Sequence, residues 1–327
     1  MNSLNFTISP LWSITFVVLS ILLLVHPSYG SSLTSSFYEK TCPNALKTIQ
    51  QAIQKAVSNE SRMAASLIRL HFHDCFVQGC DASILLDAQA TSTSERNAFQ
   101  NIGSLRGYEV VDSVKVEVEK LCPGIVSCAD ILAVTARDAS VIAGGPSWTV
   151  MLGRRDSTTA NRTLAESDLP LSTSTLDEQI SIFSNKGLNT REMVALTGSH
   201  TLGQAQCSHY RERIYNGTQI DATFAQNLQK NCTRSGQNDS SNLAPFDLVT
   251  PNSFDNNYFK NLLVKKGLLP SDQILFSGGA TDNIVVEYSK DASKFNTDFA
   301  DAMVKMGNIS PLTGSEGVIR KICSKNN

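Results

Sequence analysis

Residues 69–83 read RLHFHDCFVQGCDAS, which places a basic residue, two histidines, two acids and two cysteines within one short stretch. The preceding residues 63–68, MAASLI, are good helix formers with little β-branching, and they favour a helix through this stretch. Residues four apart share a helix face, so Arg69 and His73 lie together while His71 points nearly opposite. A guanidinium beside a neutral imidazole can stabilise negative charge and transfer protons. On spacing alone, a hydrogen-bonded histidine of the core remains the simpler interpretation.

A strand through the same residues gives a different candidate site. His71 and His73 would then share a face, and with His200 they could form a three-histidine site for zinc or non-haem iron. The helix formers at 63–68 disfavour the strand, so this metal site is the second interpretation of the stretch.

Two segments carry oxygen donors at the short spacing that suits calcium. After the histidines, a glycine-containing turn between two close cysteines separates Asp74 from Asp81 and Ser83, and backbone carbonyls could complete a calcium shell. This segment lacks the ligand spacing of an EF-hand, and a surface turn with solvated acids is the alternative. A second segment repeats the pattern of carboxylates and hydroxyls with Asp247, Thr250, Ser253 and Asp255.

Composition and periodicity predict a helical globular protein. The chain has 327 residues, 41% of them apolar, and 28 basic against 30 acidic residues give a net charge of −2. These values exclude a disordered chain and remove the positive charge expected of a general nucleic-acid binder. Apolar residues recur at helical spacing, with capping patterns that begin at Ser127 and Thr175. We therefore expect an all-α domain with minor short strands, in which two lobes surround a shared site.

The amino terminus predicts export. Residues 1–30 contain no Asp, Glu, Lys or Arg, and the apolar run at 11–25 is shorter than the roughly 20 residues of a membrane span. We interpret 1–30 as a cleaved signal peptide and 31–327 as one mature domain, with an uncleaved signal anchor as the alternative. No second hydrophobic span is present, so we expect no membrane attachment after cleavage.

Export makes the eight cysteines candidates for disulfides, but eight cysteines allow about a hundred pairings and their positions alone select none. The glycosylation motif N-x-S/T agrees with the secretory route and begins at Asn59, Asn161, Asn216, Asn231, Asn238 and Asn308. Both features indicate an oxidising destination outside the cell.

The stretch at 69–83, together with LTGSHTLG at 196–203, resembles the two signature segments of secretory plant haem peroxidases (class III). The resemblance continues from Cys42 through Gly153-Arg154 to Cys323, so it covers essentially the whole of residues 31–327. It implies the helical haem-peroxidase fold, with haem b between a distal and a proximal lobe. It also implies a secreted monomer of the cell wall or apoplast that reduces hydrogen peroxide and oxidises small phenolic donors, as in lignin formation.

On the distal side, the resemblance implies that His73 is the acid–base catalyst for hydrogen peroxide. Arg69 would stabilise the negative charge that develops as the O–O bond breaks. Asn101, in the stretch at 95–101, matches the residue that hydrogen-bonds His73 and keeps it basic, and Phe72 would wall the pocket.

On the proximal side, the resemblance implies that His200 is the axial ligand of haem iron. Asp272 would accept the hydrogen bond from the other ring nitrogen of His200. The donor-binding segment of the family matches Pro170, although Ser172 stands where a second proline is usual. His209 stands where some relatives have an aromatic residue, and we interpret it as a solvated helix residue.

The resemblance also implies two calcium ions and a disulfide pattern. The distal calcium ligands would be Asp74, Val77, Gly79, Asp81 and Ser83, with Glu95 connected through water. The proximal calcium ligands would be Thr201, Asp247, Thr250, Ser253 and Asp255. The implied disulfides are Cys42–Cys122, Cys75–Cys80, Cys128–Cys323 and Cys207–Cys232. A calcium-braced binding glycoprotein that keeps only the fold is the remaining alternative, and it needs neither catalytic histidine.

Overall fold

The computed structural model describes residues 33–87, 93–235 and 241–327, so the predicted signal peptide 1–30 and the glycosylation motif at Asn238 lie outside the described residues. Within these ranges the chain is mainly helical, as predicted. The helices are α1 Ala45–Asn59, α2 Met63–Cys75, α3 Tyr108–Leu121, α4 Cys128–Ile142, α5 Arg162–Asp168, α6 Leu176–Asn185, α7 Thr190–Thr197, α8 Cys207–Asn216, α9 Ala222–Gln229, α10 Asn257–Leu263, α11 Pro270–Gln273, α12 Asp282–Lys290 and α13 Ala292–Met306.

The only paired strands among the described residues form one small two-stranded sheet. Strand β1 (Gln204–Gln206) pairs antiparallel with β2 (Leu243–Pro245). Short 3₁₀ turns occupy Ser83–Leu85, Glu95–Asn97, Gly198–Thr201 and Ile274–Phe276. Val114, Val116 and Val118 alternate as they would in a strand, but they belong to α3, where Val111, Val114 and Val118 are buried at helical spacing.

Helix α4 forms the centre of the distal lobe because it is apolar on nearly every side. It packs against α1, α2 and α3, and most of its residues are buried. Ser127 begins α4 by accepting the backbone N–H of Asp130 on its hydroxyl at 3.1 Å, as the capping pattern predicted. In the proximal lobe, α7 packs against α13, and α10 against α12. One large apolar core extends through both lobes, and a smaller core lies beneath α8, α9 and the two strands.

The eight cysteines form four disulfides, and no described cysteine is free. The pairs are those that the resemblance implied: Cys42–Cys122, Cys75–Cys80, Cys128–Cys323 and Cys207–Cys232. No helix among the described residues is long and apolar enough to cross a bilayer.

Candidate active site

The distal part of the site is the carboxyl-terminal half of α2, which holds His73 in a fixed orientation. The Nδ1 atom of His73 lies 2.6 Å from the side-chain oxygen of Asn101. The side-chain nitrogen of Asn101 donates to the backbone oxygen of Glu95 at 2.8 Å, which turns the amide oxygen towards His73. An amide oxygen only accepts, so Nδ1 of His73 carries the proton and Nε2 keeps its lone pair.

His73 is buried, and its surroundings keep the imidazole neutral. Burial lowers the pKa of His73 well below its ordinary value of 6.5, and the positive charge of Arg69 lowers it further. The hydrogen bond to Asn101 acts in the opposite direction and only partly offsets these two effects. A neutral imidazole with a free Nε2 is the form that a proton acceptor requires.

Arg69 lies one helical turn before His73 and remains charged at neutral pH. Burial lowers the pKa of its guanidinium to about 10, which is still well above neutrality. One guanidinium nitrogen donates to the backbone oxygen of Gln100 at 3.1 Å, and both terminal nitrogens lie 3.3 Å from the hydroxyl of Ser104. The loop that orients His73 through Asn101 therefore also holds Arg69.

An aromatic wall stands beside the distal histidine. The ring of Phe72 packs edge-on against His73 with 5.2 Å between centroids, and it also contacts Phe76 at 4.4 Å and Phe183 at 6.1 Å. Phe183 reaches this position from α6, whose start is capped by Thr175 and Glu178 as the sequence predicted. The wall makes the approach to His73 apolar.

On the proximal side, His200 lies in the turn Gly198–Thr201 and is held by a buried carboxylate. Its Nδ1 atom lies 2.7 Å from Oδ1 of Asp272, which has no exposed surface. The ring of Phe246 stacks on the imidazole with 4.1 Å between centroids and 9° between planes. A side chain at Gly198 would meet the rings of Phe259 and Phe295 within 3 Å, so glycine is required for this turn to approach the core.

Asp272 is itself oriented by two further donors. Its Oδ2 accepts the backbone N–H of Leu269 at 2.9 Å, and its Oδ1 accepts the hydroxyl of Tyr258 at 3.1 Å. With Nδ1 of His200 bound to this carboxylate, the lone pair lies on Nε2. The side chain of His200 keeps 30% of its surface exposed although its partner is fully buried.

These features fit haem. Each of the two histidines has Nδ1 bonded to an acceptor, so each presents Nε2 as its free nitrogen. A free Nε2 with a carboxylate on the opposite ring nitrogen is a common arrangement for a metal-binding histidine. His200 is the candidate iron ligand, and Arg69, Phe72 and His73 are the candidate residues of the opposite face.

The first predicted calcium segment contains buried oxygens that lack partners. Asp74, Ser83 and Glu95 have no exposed surface, and Asp74 Oδ1, Ser83 Oγ and Glu95 Oε2 have no hydrogen-bond partner among the described residues. Burial raises the pKa of Asp74 well above its usual value, that of Asp81 to about 6 and that of Glu95 to about 8. Unpaired buried oxygens are costly, and a hard cation such as Ca²⁺ would satisfy them.

The loop around these oxygens is shaped by the Cys75–Cys80 disulfide and by Gly79. Gly79 has φ +120°, and a Cβ at this position would lie 2.3 Å from the backbone oxygen of Ser310. Glycine is therefore required at position 79, both for the positive φ and for the close approach to Ser310. Val77 and Gly79, whose carbonyls are predicted ligands, lie in this turn.

The second predicted segment brings most of its members together. The hydroxyl of Thr250 lies 3.0 Å from Asp247 Oδ2 and 2.6 Å from Asp255 Oδ2, and the hydroxyl of Thr201 lies 3.4 and 3.3 Å from the same two carboxylates. Two carboxylates and two hydroxyls suit a calcium ion. The exposed Ser253 is tied to this group through its backbone N–H, which donates to the backbone oxygen of Thr250 at 3.0 Å.

Pro170 lies where segments from both lobes meet. Gln100 donates to the backbone oxygens of Glu166 and Leu169, immediately before Pro170. Two residues after it, the backbone oxygen of Ser172 accepts the N–H of Ser271 at 3.0 Å. The predicted donor residue is thus linked to the neighbours of both Asn101 and Asp272.

The three-histidine metal site is not formed. The stretch is helical, and His71 is buried against the sulfur of Cys75 at 3.6 Å while His73 faces Asn101. The one cluster of potential metal ligands that contains histidine or cysteine among the described residues combines His71 with Cys75 and Cys80, whose sulfurs are joined in a disulfide. Thiolate ligands are therefore not available there.

Comparison with known proteins identifies the family of the chain. The family model described as peroxidase matches residues 49–291. The chain belongs to the peroxidase family. It is 62% identical over 311 residues to the lignin-forming anionic peroxidase of Nicotiana sylvestris, covering 95% of this chain and 96% of the relative. It is 58% identical to peroxidase 2 of Oryza sativa subsp. japonica (94% and 98% covered) and 57% identical to peroxidase 5 of Arabidopsis thaliana (96% and 98% covered).

As a member of this family, the chain is a haem peroxidase that uses hydrogen peroxide and a donor substrate. Several residues of the candidate site were not found by sequence reasoning. Phe246 stacks on His200. It directly precedes the candidate ligand Asp247 in the chain, and this position could have indicated that Phe246 lies near the site. Tyr258 and Gln100 gave no such signal, because their partners are distant in sequence.

Proposed function

We propose that this peroxidase is an extracellular haem b enzyme that reduces hydrogen peroxide and oxidises small phenolic donors in the plant cell wall. The observation that carries the proposal is the pair of histidines with Nδ1 fixed and Nε2 free, one beside a partly buried guanidinium and one on a buried carboxylate. The name of the relative from Nicotiana sylvestris, a lignin-forming peroxidase that is 62% identical, supports phenolic donors. We further propose a signal peptide at 1–30 and a single monomeric domain at 31–327.

Haem, held by His200, would supply the redox centre that takes electrons from the donor and passes them to peroxide. Nε2 of His73 would accept a proton from hydrogen peroxide and return it to the departing oxygen, so that water leaves. The guanidinium of Arg69 would stabilise the negative charge on that oxygen. Asn101 keeps the proton of His73 on Nδ1 throughout, and Phe72 limits the space beside Nε2.

We propose that two calcium ions brace this arrangement. The distal ion would lie among Asp74, Asp81 and Ser83, with the carbonyls of Val77 and Gly79, and it would satisfy the partnerless oxygen of Glu95 through water. Since Glu95 also holds Asn101 through its backbone oxygen, this ion would stabilise the partner of His73. The proximal ion would lie among Thr201, Asp247, Thr250 and Asp255, beside His200 in the chain, with carbonyl help from Ser253.

The test compares haem-loaded wild type with His73→Leu and His200→Ala. We expect a Soret band that changes on adding peroxide, and turnover of guaiacol, in the wild type. His73→Leu should keep its haem but react with peroxide about 10²–10⁴-fold more slowly, because the proton acceptor is lost. His200→Ala should lose the axial imidazole signature. A folded, haem-loaded wild type without guaiacol turnover, or His73→Leu at wild-type speed, would contradict the proposal.

A further inference from the structure

The carboxylate that holds His200 is shared between two side-chain donors. Oδ1 of Asp272 lies 2.7 Å from Nδ1 of His200 and 3.1 Å from the hydroxyl of Tyr258. The other oxygen, Oδ2, accepts the backbone N–H of Leu269 at 2.9 Å. Asp272 has no exposed surface and Tyr258 has 1%, so water does not compete for these bonds.

The hydroxyl of Tyr258 acts as a donor in this contact. Burial raises the pKa of Tyr258 well above its usual value, and the neighbouring charge of Asp272 raises it further. Both effects keep the proton on the phenol. The ring of Tyr258 also lies edge-on to His200, with 6.1 Å between centroids and 86° between planes, so it packs beside the imidazole that it influences.

We propose that Tyr258 is a positioning residue that limits how strongly Asp272 withdraws the Nδ1 proton of His200. Two donors on one oxygen divide its electron density, so each bond is weaker than it would be alone. A weaker bond from His200 leaves the imidazole less anionic and therefore a less electron-donating iron ligand. This inference rests on the proposed role of His200 as axial ligand, and it assigns Tyr258 a share in setting the iron(III)/iron(II) equilibrium.

The test substitutes Tyr258→Phe, which removes only the hydroxyl, in the haem-loaded protein. We expect the iron(III)/iron(II) equilibrium to move about threefold towards iron(III), a fall of about 30 mV when one electron corresponds to 59 mV per tenfold change. We also expect a higher iron–histidine stretching frequency in the ferrous protein, because the imidazole becomes more anionic. A side chain that merely fills space would change the melting temperature without moving either quantity.

Tyr288→Phe is the matched control. Tyr288 is also fully buried and donates its hydroxyl to a carboxylate, Asp298, at 2.7 Å, but that carboxylate does not contact His200. We expect this variant to lose a comparable hydrogen bond and to leave the potential and the stretching frequency unchanged.

The outcomes separate the two proposals. If the wild type shows the iron–histidine stretch and Tyr258→Phe leaves it and the potential unchanged, or moves the equilibrium towards iron(II), the role of Tyr258 is overturned while the axial role of His200 stands. If the wild type shows no such stretch, the axial assignment fails, and the inference about Tyr258 falls with it.

Discussion

At the scale of single residues, the expected reactivity of the distal site depends on which atom carries each proton. Glu95 orients Asn101 with a backbone oxygen, Asn101 presents its own oxygen to His73, and the imidazole is left with Nε2 free. Burial and the charge of Arg69 oppose protonation of this ring. The guanidinium that is proposed to stabilise negative charge during the reaction therefore also keeps His73 neutral, which is the form that a proton acceptor requires.

This coupling predicts a pH dependence. Only neutral His73 can accept a proton from peroxide, so the reaction rate should fall as the pH drops through the pKa of His73. Because that pKa lies well below 6.5, we expect the acid limb of the rate profile to have its midpoint below pH 6.5. Arg69→Leu should slow the reaction and also move this midpoint to higher pH, because the nearby positive charge is gone.

The test measures the rate of the Soret change after rapid mixing with peroxide. The rate is recorded from about pH 3 to about pH 9, in steps of about one pH unit. The slower rate of Arg69→Leu does not affect the comparison, since the midpoint is read from the shape of the curve. An identical midpoint in wild type and Arg69→Leu would show that the two side chains are not electrostatically coupled.

At the scale of elements, the residues that begin and end helices were predictable from sequence because their chemistry is local. Thr175 and Glu178 form the predicted capping box, and Ser127 caps α4. Contacts between distant segments were not predictable in this way. Tyr258 bonds Asp272 from another helix, and Gln100 bonds the segment before Pro170, and neither pair shares a local pattern.

The candidate site likewise contains residues that local spacing predicts and residues that it does not. The four-residue spacing of Arg69 and His73 predicted that they share one face of a helix. The same helix places His71 and His73 on different faces, which excludes a site built on both. The link from His200 to Asp272 crosses 72 positions of the chain, and it was available only through the resemblance. Spacing determines which residues share one element, whereas packing determines which elements meet.

The capping box of α6 is expected to support the aromatic wall. Thr175→Ala should lower the free energy of unfolding by about 1 kcal/mol, because the backbone N–H of Glu178 at the start of the helix loses its acceptor. Phe183, on the same helix, should then pack less firmly on Phe72. Chemical denaturation measures the effect, with the exposed Thr173→Ala as the control. If the two variants are equally stable, the hydroxyl of Thr175 does not stabilise the start of α6.

Calcium removal should destabilise the distal loop in a pH-dependent manner. Without the ion, the folded-state pKa of Asp81 is raised to about 6 and that of Glu95 to about 8. A carboxyl with a raised folded-state pKa contributes stability below its unfolded-state pKa, and this contribution is lost as the pH rises through the folded-state value. The chelated protein should therefore become less stable as the pH rises from about 4 to about 8, relative to the calcium-loaded protein.

Thermal unfolding with calcium and with chelator, at several pH values, measures this difference. We expect the gap in melting temperature to be larger at alkaline than at acidic pH. Asp81→Asn is the matched variant, because it removes one buried charge while keeping the shape of the side chain. The chelated form of Asp81→Asn should lose less stability with rising pH than the chelated wild type. If the gap in melting temperature between the calcium-loaded and chelated protein does not depend on pH, the buried carboxylates are not neutralised by a cation.

At the scale of the whole molecule, the carboxyl-terminal segment closes the distal lobe. Val318 exchanges two backbone hydrogen bonds with Asp156 at 2.8 and 2.9 Å, and the buried Arg320 donates to the backbone oxygen of Ala82 at 2.6 Å. Ala82 lies between the candidate calcium ligands Asp81 and Ser83. The segment around Arg320 therefore holds the loop that carries the candidate distal calcium ligands.

The Cys128–Cys323 disulfide fixes this closure, and its removal should cost more than removal of a shorter-range disulfide. It joins residues 195 positions apart, whereas Cys207–Cys232 spans 25. Loop-closure entropy predicts a loss of about 5 kcal/mol for the first and about 3.5 kcal/mol for the second. Paired Cys→Ala variants compared by denaturant unfolding in calcium measure the difference. The Cys128/Cys323 variant should also bind calcium more weakly, because the segment that carries Arg320 is held less firmly against Ala82, whereas the Cys207/Cys232 variant should keep its distal ion. Equal calcium affinity in both variants would show that the chain end does not support the distal site.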